Sequence, residues 1–293
     1  MKRLAYKAAA AGIFCVKKTA EFLPRDKAAA CGALLGRAAF LLPSRQRRVA
    51  LSNLEAVFGS SGGGNYSAIA AESFENLGRG LCEVLASGRL SRGEFEGMVD
   101  IRGEENLRKA LAGGRGVIAL SAHLGNFAFM GVRLAMAGYR FNYVFRYPNL
   151  EFLADAVRAL GARHKVGFIS ALPRKEAARR TIKSLRKNEI VCILADQNDM
   201  HGVRVNFFNR PAGTASGPVV LAMRTGASIV PMFALRGPEG NHTVVIEPGF
   251  ELALTGSYAY DVRTNVERLN GIIEKHVREY PGQWWWMHRR WRG

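Results

Sequence analysis

The sequence predicts an α/β fold, on three observations. From about residue 99, short apolar runs alternate with longer stretches whose apolar residues recur at helical spacing, the pattern of a sheet with crossover helices. Six of those runs have strand length. The chain, at 293 residues, is also long enough to bury the core of one large α/β domain carrying a helical extension. No internal repeat or low-complexity tract competes with this reading.

Taken in order, Lys2 and Arg3 precede an apolar run over 4–16, which Lys7 interrupts and Lys17 and Lys18 close. A second run, 28–42, is broken by Arg37 and ends at Pro43. Neither reaches the roughly 18 to 20 unbroken apolar residues that a simple membrane span requires. Residues 1–43 are therefore expected to form a helical arm at a membrane interface, with packing of two ordinary amphipathic helices on the domain as the alternative. Residues 44–293 are expected to form the domain itself. It opens on the basic cluster Arg45, Arg47 and Arg48, which runs into a helical pattern and then a Gly- and Ser-rich break at 59–64. Ile69, Phe74, Leu77, Leu81 and Leu85 then predict a helix over 66–85.

Strands are expected at 116–121, 141–145, 167–169, 190–194, 228–235 and 243–246, and helices at 150–160, 175–187, 217–224 and 260–280. The tail holds Trp284, Trp285, Trp286 and Trp291 among Arg289, Arg290 and Arg292. That composition suits either an interfacial belt or a core-packing tail.

Forty-two Lys and Arg against twenty-four Asp and Glu give a net charge of +18, so an acidic partner is expected. Nucleic acid, anionic lipid and phosphorylated substrates all have the required sign. The charge is spread along the chain without a helix-turn-helix, zinc-finger or aromatic RNA-binding signature, so nucleic acid is not the expected partner. Cys15, Cys31, Cys82 and Cys192 are far apart and the six histidines lack metal-ligand spacing, so neither a disulfide framework nor a metal site is expected. The cysteines fit a reduced, cytosol-facing location.

The candidate site follows the first long apolar run. Residues 116–121 lead directly into Ala122, His123, Leu124, Gly125 and Asn126, which puts His123 where a strand hands over to a helix starting at Phe127. In open α/β sheets that edge is where ligands bind. A capping or core histidine is the plainer alternative.

From His123 to Phe127 the residues resemble the start of the His-x4-acid motif of the glycerolipid and lipid A acyltransferases. Further segments match in the same order: Val144, Phe145 and Arg146 before Pro148, with Arg158 beyond; Ile193 to Asn198, containing Asp196 and Gln197; Phe207 to Thr214, containing Arg210; and the closing Pro281 to Trp291. The chain thereby resembles the lipid A late-acyltransferase family from about residue 45 to its end.

The resemblance implies a central mixed sheet flanked by helices, like that of glycerol-3-phosphate acyltransferase, with N-terminal membrane-associated helices. It implies that His123 is the general base, taking a proton from an acceptor hydroxyl as that oxygen attacks an acyl thioester. It assigns catalytic roles to Arg158 and Asp196 and substrate-binding roles to Asn126, Arg146, Gln197, Arg204 and Arg210. The implied partners are an acyl carrier protein as donor and an acidic lipid A precursor as acceptor, at the cytoplasmic side of the inner membrane, with no cofactor and no metal. The motif's acid falls at position 128, where this chain has Ala128, and no carboxylate lies between Glu105 and Glu151. Ala128 is therefore expected to silence the enzyme, as a deliberate Glu to Ala replacement. A non-catalytic glycolipid-binding relative and an acyltransferase for another glycolipid are the alternatives.

Overall fold

A strand with apolar side chains on both faces must be covered on both, which places it at the centre of a sheet. The stretch Val117–Ser121 has that character. In the computed structural model, which describes residues 22–59, 65–146 and 151–291, it forms β2 and is buried along its whole length. The other strands of its sheet are β1 (Val99–Arg102), β3 (Phe141–Phe145), β4 (Gly167–Ser170), β5 (Ile190–Leu194), β8 (Ser228–Arg236) and β9 (His242–Ile246), in the order β1-β9-β8-β2-β5-β3-β4. β2 pairs in parallel with β5 and β8, and β3 in parallel with β5 and β4. β8 and β9 pair antiparallel, and β1 follows β9, so the sheet is mixed with a parallel centre.

The six expected strands correspond to β2, β3, β4, β5, β8 and β9. β1 was not expected, because Asp100 and Arg102 leave Val99–Arg102 without an apolar run. Nor was the antiparallel hairpin of β6 (Val203–Phe207) and β7 (Arg210–Thr214). Its two-residue turn has Phe208 at φ 53° and Asn209 at φ 57°, the left-handed pair a tight hairpin needs but without the usual glycine.

Helices cover both faces. They are α1 (Arg25–Leu41), α2 (Arg45–Phe58), α3 (Tyr66–Ala86), α4 (Arg92–Met98), α5 (Glu104–Ala112), α6 (Phe127–Met136), α7 (Glu151–His164), α8 (Arg174–Arg186), α9 (Gly217–Thr225) and α10 (Tyr258–Glu279). Several start where a cap dictates. Ser44 accepts from the Arg47 N–H at 3.1 Å, and Ser91 with Glu94 forms a reciprocal capping box. The strand period of two divides the core. Ile118, Leu120, Val191 and Phe233 pack with α2, α3, α9 and α10, while Val117, Ala119, Cys192 and Val230 pack with α4, α5 and α6.

The first expected apolar run lies in residues 1–21, outside the described residues. The second forms α1, which packs on α3 at close range. A Cβ added at Gly32 would fall 2.3 Å from the Gly78 carbonyl oxygen, and one at Gly36 2.2 Å from that of Phe74. No helix among the described residues is long and apolar enough to cross a membrane. Cys82 and Cys192 are buried free thiols, and burial pushes Cys82 up to about 11. Trp284, Trp286 and Arg290 are buried, so these three belong to the core and not to an interfacial belt.

Candidate active site

Backbone register builds the site. Ser121 of β2 lies beside Leu194 of β5 in a parallel pair, and the Ala195 N–H donates to the Ser121 carbonyl at 3.0 Å. Two residues past each strand end stand His123 and Asp196. Equal offsets from adjacent parallel strands bring the two side chains together at the ligand-binding edge of the sheet. His123 Nδ1 lies 2.8 Å from Asp196 Oδ1, and the His123 backbone N–H donates to Asp196 Oδ2 at 2.9 Å. The Trp284 indole N–H adds a third bond, to Oδ2 at 2.8 Å.

Burial opposes ionisation of Asp196, but the His123 ring, the two His123 hydrogen bonds and that of Trp284 together hold its carboxyl below the usual range. The partners also fix the ring's tautomer. An ionised carboxylate only accepts, so Nδ1 carries the proton and Nε2 presents a lone pair. Gln197 Nε2, an amide donor, sits 3.2 Å from His123 Nε2. Phe127 and Trp285 flank the ring edge-on, each with its centroid 5.3 Å away.

The turn carrying His123 is clamped from two sides. Gly125 adopts φ 60°, and a Cβ there would fall 2.0 Å from the Ala234 carbonyl oxygen, so this close approach to β8 requires glycine. The Asn126 N–H donates to that carbonyl at 3.1 Å and the Gly125 N–H to the Gln283 carbonyl at 3.0 Å. The Trp285 N–H donates to the His123 carbonyl at 3.0 Å. Beneath the turn, Asn126 donates to Glu83 at 3.1 Å, and Arg236 donates to Glu83 through both terminal nitrogens at 2.7 and 2.5 Å. His242 Nε2 lies 3.3 Å from the same carboxylate. Burial raises Glu83, but the His242 ring beside it and the Arg236 guanidinium bonded to it together dominate and push it down to about 2.

His123, Asp196 and Gln197 are thus in direct contact, and Asn126 supports their turn from below. Arg146 is exposed just past β3, at the same sheet edge. Arg158 is exposed on α7 and pairs with Asp155 at 2.6 Å. Arg204 and Arg210 are exposed on the hairpin, the second with its guanidinium 5.6 Å from the centre of the Trp291 ring. Residues 147–150, which include Pro148, lie outside the described residues. Ala128, in the first turn of α6, helps line an apolar cavity of about 60 Å³ with Phe127, Val132, Tyr143, Phe145, Phe168 and Leu194.

Sequence reasoning missed that Asp196 touches His123. The available signal was positional, since each residue stands two places beyond a buried apolar run. It also missed Trp284, Glu83, Arg236 and His242, whose sequence distances give no hint of a cluster.

A histidine and a buried carboxylate on adjacent parallel strand ends, beside an apolar cavity, form a candidate active site of a kind suited to activating a hydroxyl. The chain belongs to the bacterial lipid A biosynthesis acyltransferase family, whose profile it matches over residues 2–293. It is 26% identical to the lipid A biosynthesis lauroyltransferase of Escherichia coli over 271 residues, 89% of this chain and 83% of the relative. It is 25% identical to the palmitoleoyltransferase of the same organism over 275 residues, 88% and 83% of the two chains. A phosphatidylinositol mannoside acyltransferase of Mycobacterium tuberculosis is 26% identical over 226 residues, 75% and 69% of the two chains.

Proposed function

We propose that this chain transfers a fatty acyl group from the thioester of an acyl carrier protein to a hydroxyl of a lipid A-type glycolipid, with Asp196 as the carboxylate that serves His123. The observation that carries this reading is the 2.8 Å contact between His123 Nδ1 and Asp196 Oδ1. The acceptor hydroxyl takes the place of the Gln197 amide at Nε2 and gives up its proton there as its oxygen attacks the thioester carbonyl. The carbon–sulfur bond then breaks, and the same proton passes from Nε2 to the leaving thiolate. Asp196 stabilises the imidazolium between these steps.

The backbone N–H groups of Gly125 and Asn126 are already bonded to Gln283 and Ala234, so the developing oxyanion is assigned to an arginine. Arg146, at the sheet edge, and Arg158 are the candidates. Arg204 and Arg210 complete the proposed substrate-binding set, whereas Asn126, buried and bonded to Glu83, holds the turn instead of meeting substrate. The apolar cavity beside Ala128 suits part of the acyl chain. A net charge of +18 suits an acidic glycolipid, an acidic carrier and the anionic inner leaflet at the cytoplasmic side.

Ala128 itself favours a second reading, in which the missing motif acid silences the site. Assay of the purified chain with carrier-linked acyl groups and a tetraacylated lipid A precursor separates the two. Turnover by the unmodified chain, with no gain in the Ala128→Glu variant, is the expected result. An inert chain whose Ala128→Glu variant gains about 10²- to 10⁴-fold, the usual contribution of a general acid or base, establishes the silenced reading instead.

A further inference from the structure

Two surface features play no part in the proposed reaction, a basic cleft and a set of exposed leucines, and they adjoin. The cleft, about 470 Å³, is lined by Arg45, Arg48 and Ser52 on one face of α2, and by Arg289 and Trp291 from the C-terminal segment. Arg45, Arg48 and Ser52 follow the helical period, and all three, with Arg289, are exposed. The two walls are tied together. Buried Asn53 on α2 donates to the carbonyls of Trp286 and His288, both at 2.8 Å. Buried Arg290 donates to Gly213 and Thr214 of β7 at 2.5 and 2.7 Å, which fixes its neighbour Arg289.

No carboxylate lines this cleft. Among the described residues, none of Arg45, Arg48 and Arg289 has an ion-pair partner. Three guanidinium groups converge on a preformed concavity with no countercharge, and their planar forks match the oxygens of a phosphodiester. The adjoining apolar residues indicate where the phosphate comes from. Leu41 and Leu42, three and two residues ahead of the Ser44 cap, are 68% and 63% exposed. Apolar side chains standing in water beside uncompensated arginines suit a surface where headgroup phosphates meet acyl chains.

We infer that the cleft between α2 and the C-terminal segment is a headgroup site for an anionic phospholipid, with Leu41 and Leu42 entering the bilayer beside it. Binding is measured without turnover, so this inference stands or falls separately from the proposed acyl transfer.

The test is flotation of the full chain with vesicles of phosphatidylcholine containing phosphatidylglycerol. The triple variant Arg45→Gln, Arg48→Gln, Arg289→Gln is expected to bind on the order of a hundredfold more weakly, about fivefold for each charge at an anionic surface. All three side chains are exposed, and an unchanged unfolding midpoint checks that the variant is folded. A charge-matched variant, Arg102→Gln, Arg108→Gln, Lys109→Gln, alters β1 and α5, where Arg108 and Lys109 lie across the sheet from α2, and is expected to lose less than about fivefold. Replacing Leu41 and Leu42 by Ser is expected to weaken vesicle binding as well. Equal losses in the two charge variants, or none in the first, would overturn the site. Release of the protein from vesicles by soluble glycerol 3-phosphate would overturn the lipid as its ligand, since a free phosphate would then suffice.

Discussion

Asp196→Asn is expected to lower the rate of acyl transfer by about 10²- to 10⁴-fold while leaving the Michaelis constant for the glycolipid nearly unchanged. The asparagine keeps the shape but removes the charge that stabilises the imidazolium formed in the transition state. It also frees the tautomer, because an amide can donate to Nδ1 and so move the ring proton onto Nε2, where the lone pair is required. A purely structural role for Asp196 predicts something different, a fall in activity that tracks a lower folded fraction. Steady-state assays beside denaturant unfolding of the same preparation separate these outcomes, and a variant within about twofold of the parent rate would refute Asp196 as the partner of His123.

The direction of the Asp196 shift sets the pH range in which its carboxylate is lost. Its carboxyl is held below the usual range, so its contribution to stability is present above the ordinary carboxylate pKa and is lost as pH falls through the lower folded value.

How far the sequence disclosed this site depends on which contacts are local. β2 and β5 were legible because each is a buried apolar run, and His123 was legible because it follows one of them. Contact with Asp196 depends on β2 and β5 being neighbours in register, which only the assembled sheet reveals. Position 128 illustrates the same limit from the other side. Searching the segment between Glu105 and Glu151 for a carboxylate assumes a partner near in sequence, whereas the carboxylate on His123 comes from 73 positions away. The hairpin stayed hidden because Phe208 and Asn209 take left-handed backbone angles without a glycine to mark the turn. Trp284 and Trp286 read equally well as belt or core, since composition does not distinguish an indole that caps a carboxylate from one that meets lipid.

Glu83→Gln is expected to destabilise the fold by about 3–5 kcal/mol at neutral pH, the cost of leaving one member of a buried ion pair without its partner. The Glu83 side chain is 1% exposed and that of Arg236 12%, so solvent does little to compensate the abandoned guanidinium. The acid dependence follows from the direction of the shift. A carboxyl depressed from its ordinary value of 4.5 to about 2 stabilises fully above 4.5, and its contribution disappears as pH falls between those values. Urea unfolding of parent and variant across that interval should therefore show two stability curves that converge toward pH 2. Parallel curves would mean that Glu83 is not the titrating anchor. Because Asn126 donates to the same carboxylate, the Gln variant also tests how rigidly the turn must be held. If the clamp matters, activity among the molecules that remain folded drops as well, since a base about 1 Å out of place can cost about 10²-fold.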